Sequence, residues 1–161
     1  MTAVLYSDAA SRIYNEYTLR WLQGTTYVSY SKDFPPHPAE LYKDPLSIWI
    51  EMPDGSHAND QVTTGRTLYL KASIKLLTNW LSAYTKQDVP LVWGQLGADV
   101  TFEFQIFENY QSTPGTGINV GDTIYLWSLV TQPQNAQWVG VSPDYLQLYS
   151  GPSPFIIDAA S

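Results

Sequence analysis

The sequence predicts an all-β chain, and three observations carry that expectation. Apolar residues alternate with polar ones over several short segments. One four-strand pattern recurs along the chain. The composition is rich in aromatic residues, at 14%, and poor in charge, also at 14%, against about 25% charged residues in an average domain. Alternation with a period of two puts every second side chain on one face, as a half-buried strand requires.

The elements follow in order. Leu19-Arg20-Trp21-Leu22, Thr26-Tyr27-Val28-Ser29, Glu40-Leu41-Tyr42 and Leu46-Ser47-Ile48-Trp49-Ile50 read as four strands, and Pro53-Asp54-Gly55 as the turn that ends them. Leu68 to Ser73, Asn79 to Ala83, Leu91 to Trp93 and Phe102 to Ile106 repeat the series. Ile124 to Ser128, Gln137 to Val141, Leu146 to Leu148 and Phe155 to Ile157 repeat it again. The segment from Ser73 to Thr85 also fits a helix, because Ile74, Leu77 and Leu81 fall at helical spacing; the repeat favours a strand pair.

The bulky anchors Tyr27, Trp80 and Trp138 lie 53 and 58 residues apart and match one another in this alignment. They are expected to plug the core, as is Trp93. Leu19, Trp21, Leu68, Leu70, Ile124 and Leu126 are expected to line it. Three units of four strands, over about residues 17–52, 66–108 and 121–158, resemble the β-trefoil, with pseudo-threefold symmetry and one domain over residues 1–161. The second and third units are similar to fascin-like and agglutinin-like lectins. The resemblance implies a six-stranded barrel capped by three hairpins. The physical logic agrees: one unit cannot bury its apolar face alone, whereas three around an axis can.

At 161 residues and no cysteine, the chain needs no disulfide to hold its core, and thiolate metal sites and cysteine nucleophiles are excluded. Eight basic against fifteen acidic residues give a net charge of -7. That field opposes nucleic acid, whose binding depends on cationic side chains displacing counterions. The apolar runs are too short for a membrane span, and the first residues lack the basic and apolar regions of a secretory signal. A cytoplasmic protein, released only later if at all, is the expectation; a homodimer is compatible with it.

Chemistry is sparse. His37 and His57 belong to no zinc pattern, no nucleophile elbow occurs, and Gly115-Thr116-Gly117 lacks the rest of a phosphate loop. Asp88, Asp99 and Asp144 are the carboxylates that could converge for glycoside hydrolysis. No catalytic residue, metal or cofactor is assigned, and the chain is expected not to be an enzyme. Binding remains. Sugars are held by an aromatic face against the ring and by Asp, Asn or Gln side chains on the hydroxyls. Trp49 and Trp127 point outward by alternation, and Asp88, Asn135, Asp144 and Tyr145 supply polar groups in the loops. These six are the expected ligand-binding residues, and glycans or glycoproteins the expected partners of a defence-type lectin. The ricin-type Gln-x-Trp signature is absent, since Gln137 directly precedes Trp138. Two alternatives stay open. One is a protease inhibitor similar to the mycocypins, inserting the proline-stiffened loop Asp33 to Pro38. The other is a receptor-binding or pore-forming toxin component that uses the outward tryptophans as its contact patch.

Overall fold

A computed structural model describes residues 2–6, 11–15, 20–24, 39–42, 48–54, 59–74, 77–83, 91–97, 99–108, 113–130, 136–142 and 145–159. Twelve strands occur among them: β1 (Ser11–Asn15), β2 (Arg20–Gly24), β3 (Ala39–Tyr42), β4 (Ile48–Glu51), β5 (Tyr69–Ile74), β6 (Leu77–Ser82), β7 (Val92–Gly94), β8 (Phe104–Phe107), β9 (Thr123–Ser128), β10 (Trp138–Ser142), β11 (Tyr145–Tyr149) and β12 (Phe155–Ala159). The architecture is all-β, and the strand pairs are antiparallel. Among the described residues the one helical element is a three-residue 3-10 turn, Val100–Phe102, capped by the Asp99 carboxylate, which accepts from the Thr101 amide at 3.0 Å. Among the described residues no helix is long and apolar enough to cross a membrane.

Six strands pair in a closed ring. β1 lies between β12 and β4, β4 pairs β5, β8 pairs β9, and β9 returns to β12. The remaining join, between the start of β5 and β8, is made by reciprocal backbone bonds: Leu68 donates to Phe104 at 2.8 Å and Phe104 to Leu68 at 3.0 Å. The other six strands form three hairpins, β2–β3, β6–β7 and β10–β11. A closed ring leaves no edge strand to template aggregation.

The alternation read from the sequence decides what fills the ring. Ile48, Ile50, Leu68, Leu70, Phe104, Ile106, Ile124, Leu126, Phe155 and Ile157 are all fully buried. Each such side chain contributes about 1.5–3 kcal/mol relative to remaining exposed. Trp93 is buried as expected. Within the segment from Ser73 to Thr85, the described residues Ser73, Ile74 and Leu77–Ser82 are paired strand residues of β5 and β6, not a helix.

A second ring of backbone bonds joins three segments outside the named strands. Val4 donates its amide to the Ile118 carbonyl at 3.0 Å, Ile118 to Val62 at 2.8 Å, and Val62 to Val4 at 2.7 Å. All three side chains are buried. Val4, Val62 and Ile118 precede β1, β5 and β9 respectively. These segments form only isolated bridges, Ala3 with Asn119, Leu5 with Gln61 and Thr63 with Gly117.

The first series differs from the sequence expectation. It begins at β1, whose Ser11 lies ahead of residue 17, and Arg20–Gly24 is the second strand rather than the first. The register explains why: Tyr14 pairs Trp21, Lys71 pairs Trp80, and Trp127 pairs Trp138. Trp21 is therefore the counterpart of Trp80 and Trp138, at spacings of 59 and 58 residues. Tyr27 and Leu19, which were expected in matching positions, lie outside the described residues. Trp80 does not plug the core; it is half-buried, and its indole Nε1 donates to Glu51 Oε1 at 2.9 Å. An indole N–H needs a polar partner, which holds the ring at the barrel wall.

Candidate functional site

The outer wall of the barrel is a lattice of cross-strand rows. On one side Trp49, Lys71 and Trp80 are direct partners across β4, β5 and β6, with Glu51 opposite Tyr69 in the neighbouring outward row. On the next side Gln105, Trp127 and Trp138 are partners across β8, β9 and β10, with Phe107 opposite Tyr125. Equivalent positions thus hold Glu51 and Phe107, Lys71 and Trp127, Trp80 and Trp138. Glu51 and Lys71 stand on one wall where Phe107 and Trp127 stand on the other.

The aromatic wall is closed on itself. Trp138 is met edge-on by Phe107, Tyr125 and Trp127, with ring centroids 6.1, 6.4 and 4.7 Å away. Trp127 does point outward between buried Leu126 and Ser128, but it is half-buried against this cluster. The geometry is that of neighbour-covered packing.

The polar wall is open. Trp49 lies half-buried between fully buried Ile48 and Ile50, and it lines a groove of about 220 Å³ with Lys71, Ala72 and Thr78. The Glu51 carboxylate orders the polar groups beside it. Glu51 Oε2 accepts from Lys71 Nζ at 3.0 Å, while Oε1 accepts from Trp80. With both side chains about a quarter exposed or less, this pair keeps free donor and acceptor positions: an ammonium has three protons and a carboxylate about four lone-pair sites. A second, wider groove of about 450 Å³ lies at the other end of the β4–β5 ladder, lined by Met52, Pro53, Asp54, Arg66 and Thr67.

Between the grooves stands Tyr69. Partial burial and the negative charges of Glu103, Glu51 and Asp99 raise its hydroxyl above the usual tyrosine value. The middle of this face thus places a neutral phenol near carboxylates that can accept hydrogen bonds.

Of the six expected site residues, Trp49 stands at the open groove and Trp127 on the adjacent covered wall. Asp88, Asn135 and Asp144 lie outside the described residues, as do His37, His57 and the Asp33 to Pro38 loop. Tyr145 is placed by its backbone alone, at the start of β11 opposite Ser142 and Glu40. Asp99 caps the 3-10 turn, and its Oδ1 also accepts from the Thr101 hydroxyl. No cluster of three metal-ligating side chains occurs among the described residues. Sequence reasoning missed Glu51, Tyr69 and Arg66. The signal was available for the first, since the alternation that turns Trp49 outward also turns Glu51 outward.

No family model matches the chain, and no curated protein does. Solved structures do. Lysenin in complex with phosphocholine superposes with a TM-score of 0.68 at 9% identity, over 99% of this chain and 47% of that one. The water-soluble chlorophyll protein of Brassica oleracea var. Botrytis with chlorophyll b gives 0.66 at 12%, over the whole of both chains. A BBKI mutant in complex with bovine trypsin gives 0.62 at 12%, again over both entire chains. The chain thus spans about half of the lysenin chain. These similar structures have β-trefoil or related folds, and at such identities the likeness concerns the fold alone.

Proposed function

We propose that the chain is a β-trefoil of three four-stranded units that acts by binding rather than by catalysis, and that its ligand is a glycan held at the Trp49 groove. The six-strand ring, the three hairpins and the cyclic triplet Val4–Ile118–Val62 support the trefoil part. One observation carries the ligand: an outward, half-buried indole beside a prearranged Lys71–Glu51 pair in an open groove with room for one sugar ring. The apolar face of a sugar stacks on Trp49. Its hydroxyls, each both donor and acceptor, are matched by a cation, a carboxylate and the Thr78 hydroxyl. Little ordering entropy is lost, because Glu51 already fixes Lys71. The role that fits is a cytoplasmic, defence-type lectin.

The test is a glycan array followed by calorimetry on the best ligand, with Trp49→Ala alongside. Loss of binding by a variant that retains its melting temperature supports the reading. An array without any bound glycan, together with inhibition of trypsin or a papain-like protease at equimolar protein, transfers the assignment to the inhibitor reading that similarity to the trypsin-bound structure raises.

A further inference from the structure

The two grooves are ends of one surface. Trp49, Glu51 and Pro53 on one side and Lys71, Tyr69 and Thr67 on the other are alternate residues, so they share the outward face, while Ile48, Ile50, Leu68, Leu70 and Ala72 between them are buried. From Lys71 back to Leu68 the extended chain rises about 10 Å, at about 3.3 Å per residue. That span exceeds one sugar ring.

Charge along the stripe is uneven. At the Trp49 end the Lys71 ammonium is already neutralised by Glu51. In the middle, partial burial and the carboxylates of Glu103, Glu51 and Asp99 raise the Tyr69 hydroxyl above its usual value, and of these carboxylates Glu51 is paired with Lys71. At the far end Arg66 is exposed and, among the described residues, forms no hydrogen bond or ion pair. Asp54, which shares that groove, has an interaction of its own. Thr67 adds a hydroxyl beside Arg66, and Gln105 Nε2 lies 3.5 Å from that hydroxyl. A guanidinium offers a planar fork that matches a carboxylate with two parallel bonds.

We infer that the ligand is a linear oligosaccharide ending in a carboxylated sugar, which lies along β4–β5 with a neutral ring on Trp49 and its carboxylate on Arg66. This rests on the glycan reading of the Trp49 groove and fixes the direction and chemical class of the ligand within it. Arg66 lines the far groove while the Lys71 ammonium at the other end is paired with Glu51, so the acid is directed to the Arg66 end. Sialic and uronic acids present the same carboxylate, and the arms of the test separate them.

The experiment uses the full chain and one linear neutral tetrasaccharide, together with the same chain capped by sialic acid or by glucuronic acid, titrated calorimetrically at low and at physiological salt. At least one capped form is expected to bind about tenfold tighter than the neutral chain, as for a single charge-assisted contact, and the advantage should shrink as salt rises. Arg66→Gln should bring the capped form down to the neutral affinity without moving the melting temperature, and Arg66→Lys should restore part of the difference. Equal binding of capped and neutral chains, or a preference that survives Arg66→Gln, overturns the inference while a weakened Trp49→Ala keeps the glycan reading. Absence of binding in every arm overturns both.

Discussion

The indole rings of Trp127 and Trp138 meet edge to face, their centroids 4.7 Å apart and their planes at 75°. Across the lattice the matching pair is Lys71 and Trp80, which share no ring contact and are joined through Glu51 instead. Two exchanges of residue type at matching positions, Glu51 against Phe107 and Lys71 against Trp127, separate the open polar wall from the sealed aromatic one. The barrel wall can therefore be structural on one side and available for recognition on another.

The two anchors should respond differently to truncation. Trp138 is buried beneath three rings, so Trp138→Ala is expected to cost about 3–5 kcal/mol. Trp80 is only half-buried, and Trp80→Phe mainly removes its bond to the Glu51 carboxylate, for about 1.5–3 kcal/mol. Urea unfolding of both variants checks the order; an equal or inverted pair of losses contradicts the assignment of walls.

Much of the barrel was legible, and the reason is local. Thr123 to Ser128 alternates cleanly because its inner face is buried and its outer face is not, and the same holds from Leu68 to Lys71. β1, Ser-Arg-Ile-Tyr-Asn, carries one aliphatic residue and no visible alternation, so Arg20 to Leu22 took its place in the alignment and displaced the first series. The cyclic triplet was invisible for another reason. Val4, Val62 and Ile118 sit in isolated bridges, where no run of residues exists to show a period, and only long-range backbone bonds join them. At the site, alternation was enough to turn Trp49 and Trp127 outward. It says nothing of what a neighbouring strand lays over them, which is what separates the two.

Thr64, ahead of β5, is tied to the 113–116 turn ahead of β9. Its buried hydroxyl donates to the Thr113 carbonyl at 2.8 Å and accepts from the Thr116 amide at 3.0 Å, holding the 113–116 turn across a separation of about fifty residues. Thr64→Val keeps the shape and leaves both backbone groups without that partner. The expected loss is about 1–3 kcal/mol, measured as a lower denaturation midpoint with an unchanged denaturant slope. Thr64→Ser, which keeps the hydroxyl, should lose less.

Gly65 beside it has φ of 80°, and an added Cβ would come within 2.8 Å of the Pro114 side chain. Gly65→Ala therefore meets both a left-handed backbone penalty of about 1–2 kcal/mol and a collision with a rigid ring. A clear fall in melting temperature is expected. A variant as stable as the parent shows that the turn is not held against Gly65.

The Glu108–Asp122 pair should contribute stability that falls as acidic solutions are neutralised. Burial, a hydrogen bond to Asp122 and the charge of Asp122 all raise the Glu108 carboxyl above its ordinary value. A group whose folded value is raised adds stability that is complete below the unfolded value and disappears as pH rises through the folded one. The proton belongs to the pair, and the loss begins just above the usual carboxylate value of about 4.3. Glu108→Gln, which keeps the hydrogen-bonding shape without the charge, should flatten this decline. Denaturation midpoints of both proteins across that range test it, and parallel curves rule it out.

Trp49 and Trp127 were equivalent by alternation, and the structure separates them. Trp127 closes on Trp138, so Trp127→Ala opens a gap in the aromatic wall and should lower stability by more than 1 kcal/mol, with binding changed only through unfolding. Trp49 floors an open groove, so Trp49→Ala should shift stability far less. It should nevertheless remove most glycan affinity, since a central aromatic anchor carries about 2 kcal/mol or more of binding. Melting temperature and glycan binding measured on both variants give a crossed pattern if the two walls have separate roles. If instead Trp127→Ala is the variant that binds poorly while remaining fully stable, the recognition surface lies on the aromatic wall, and the groove beside Lys71 and Glu51 is structural.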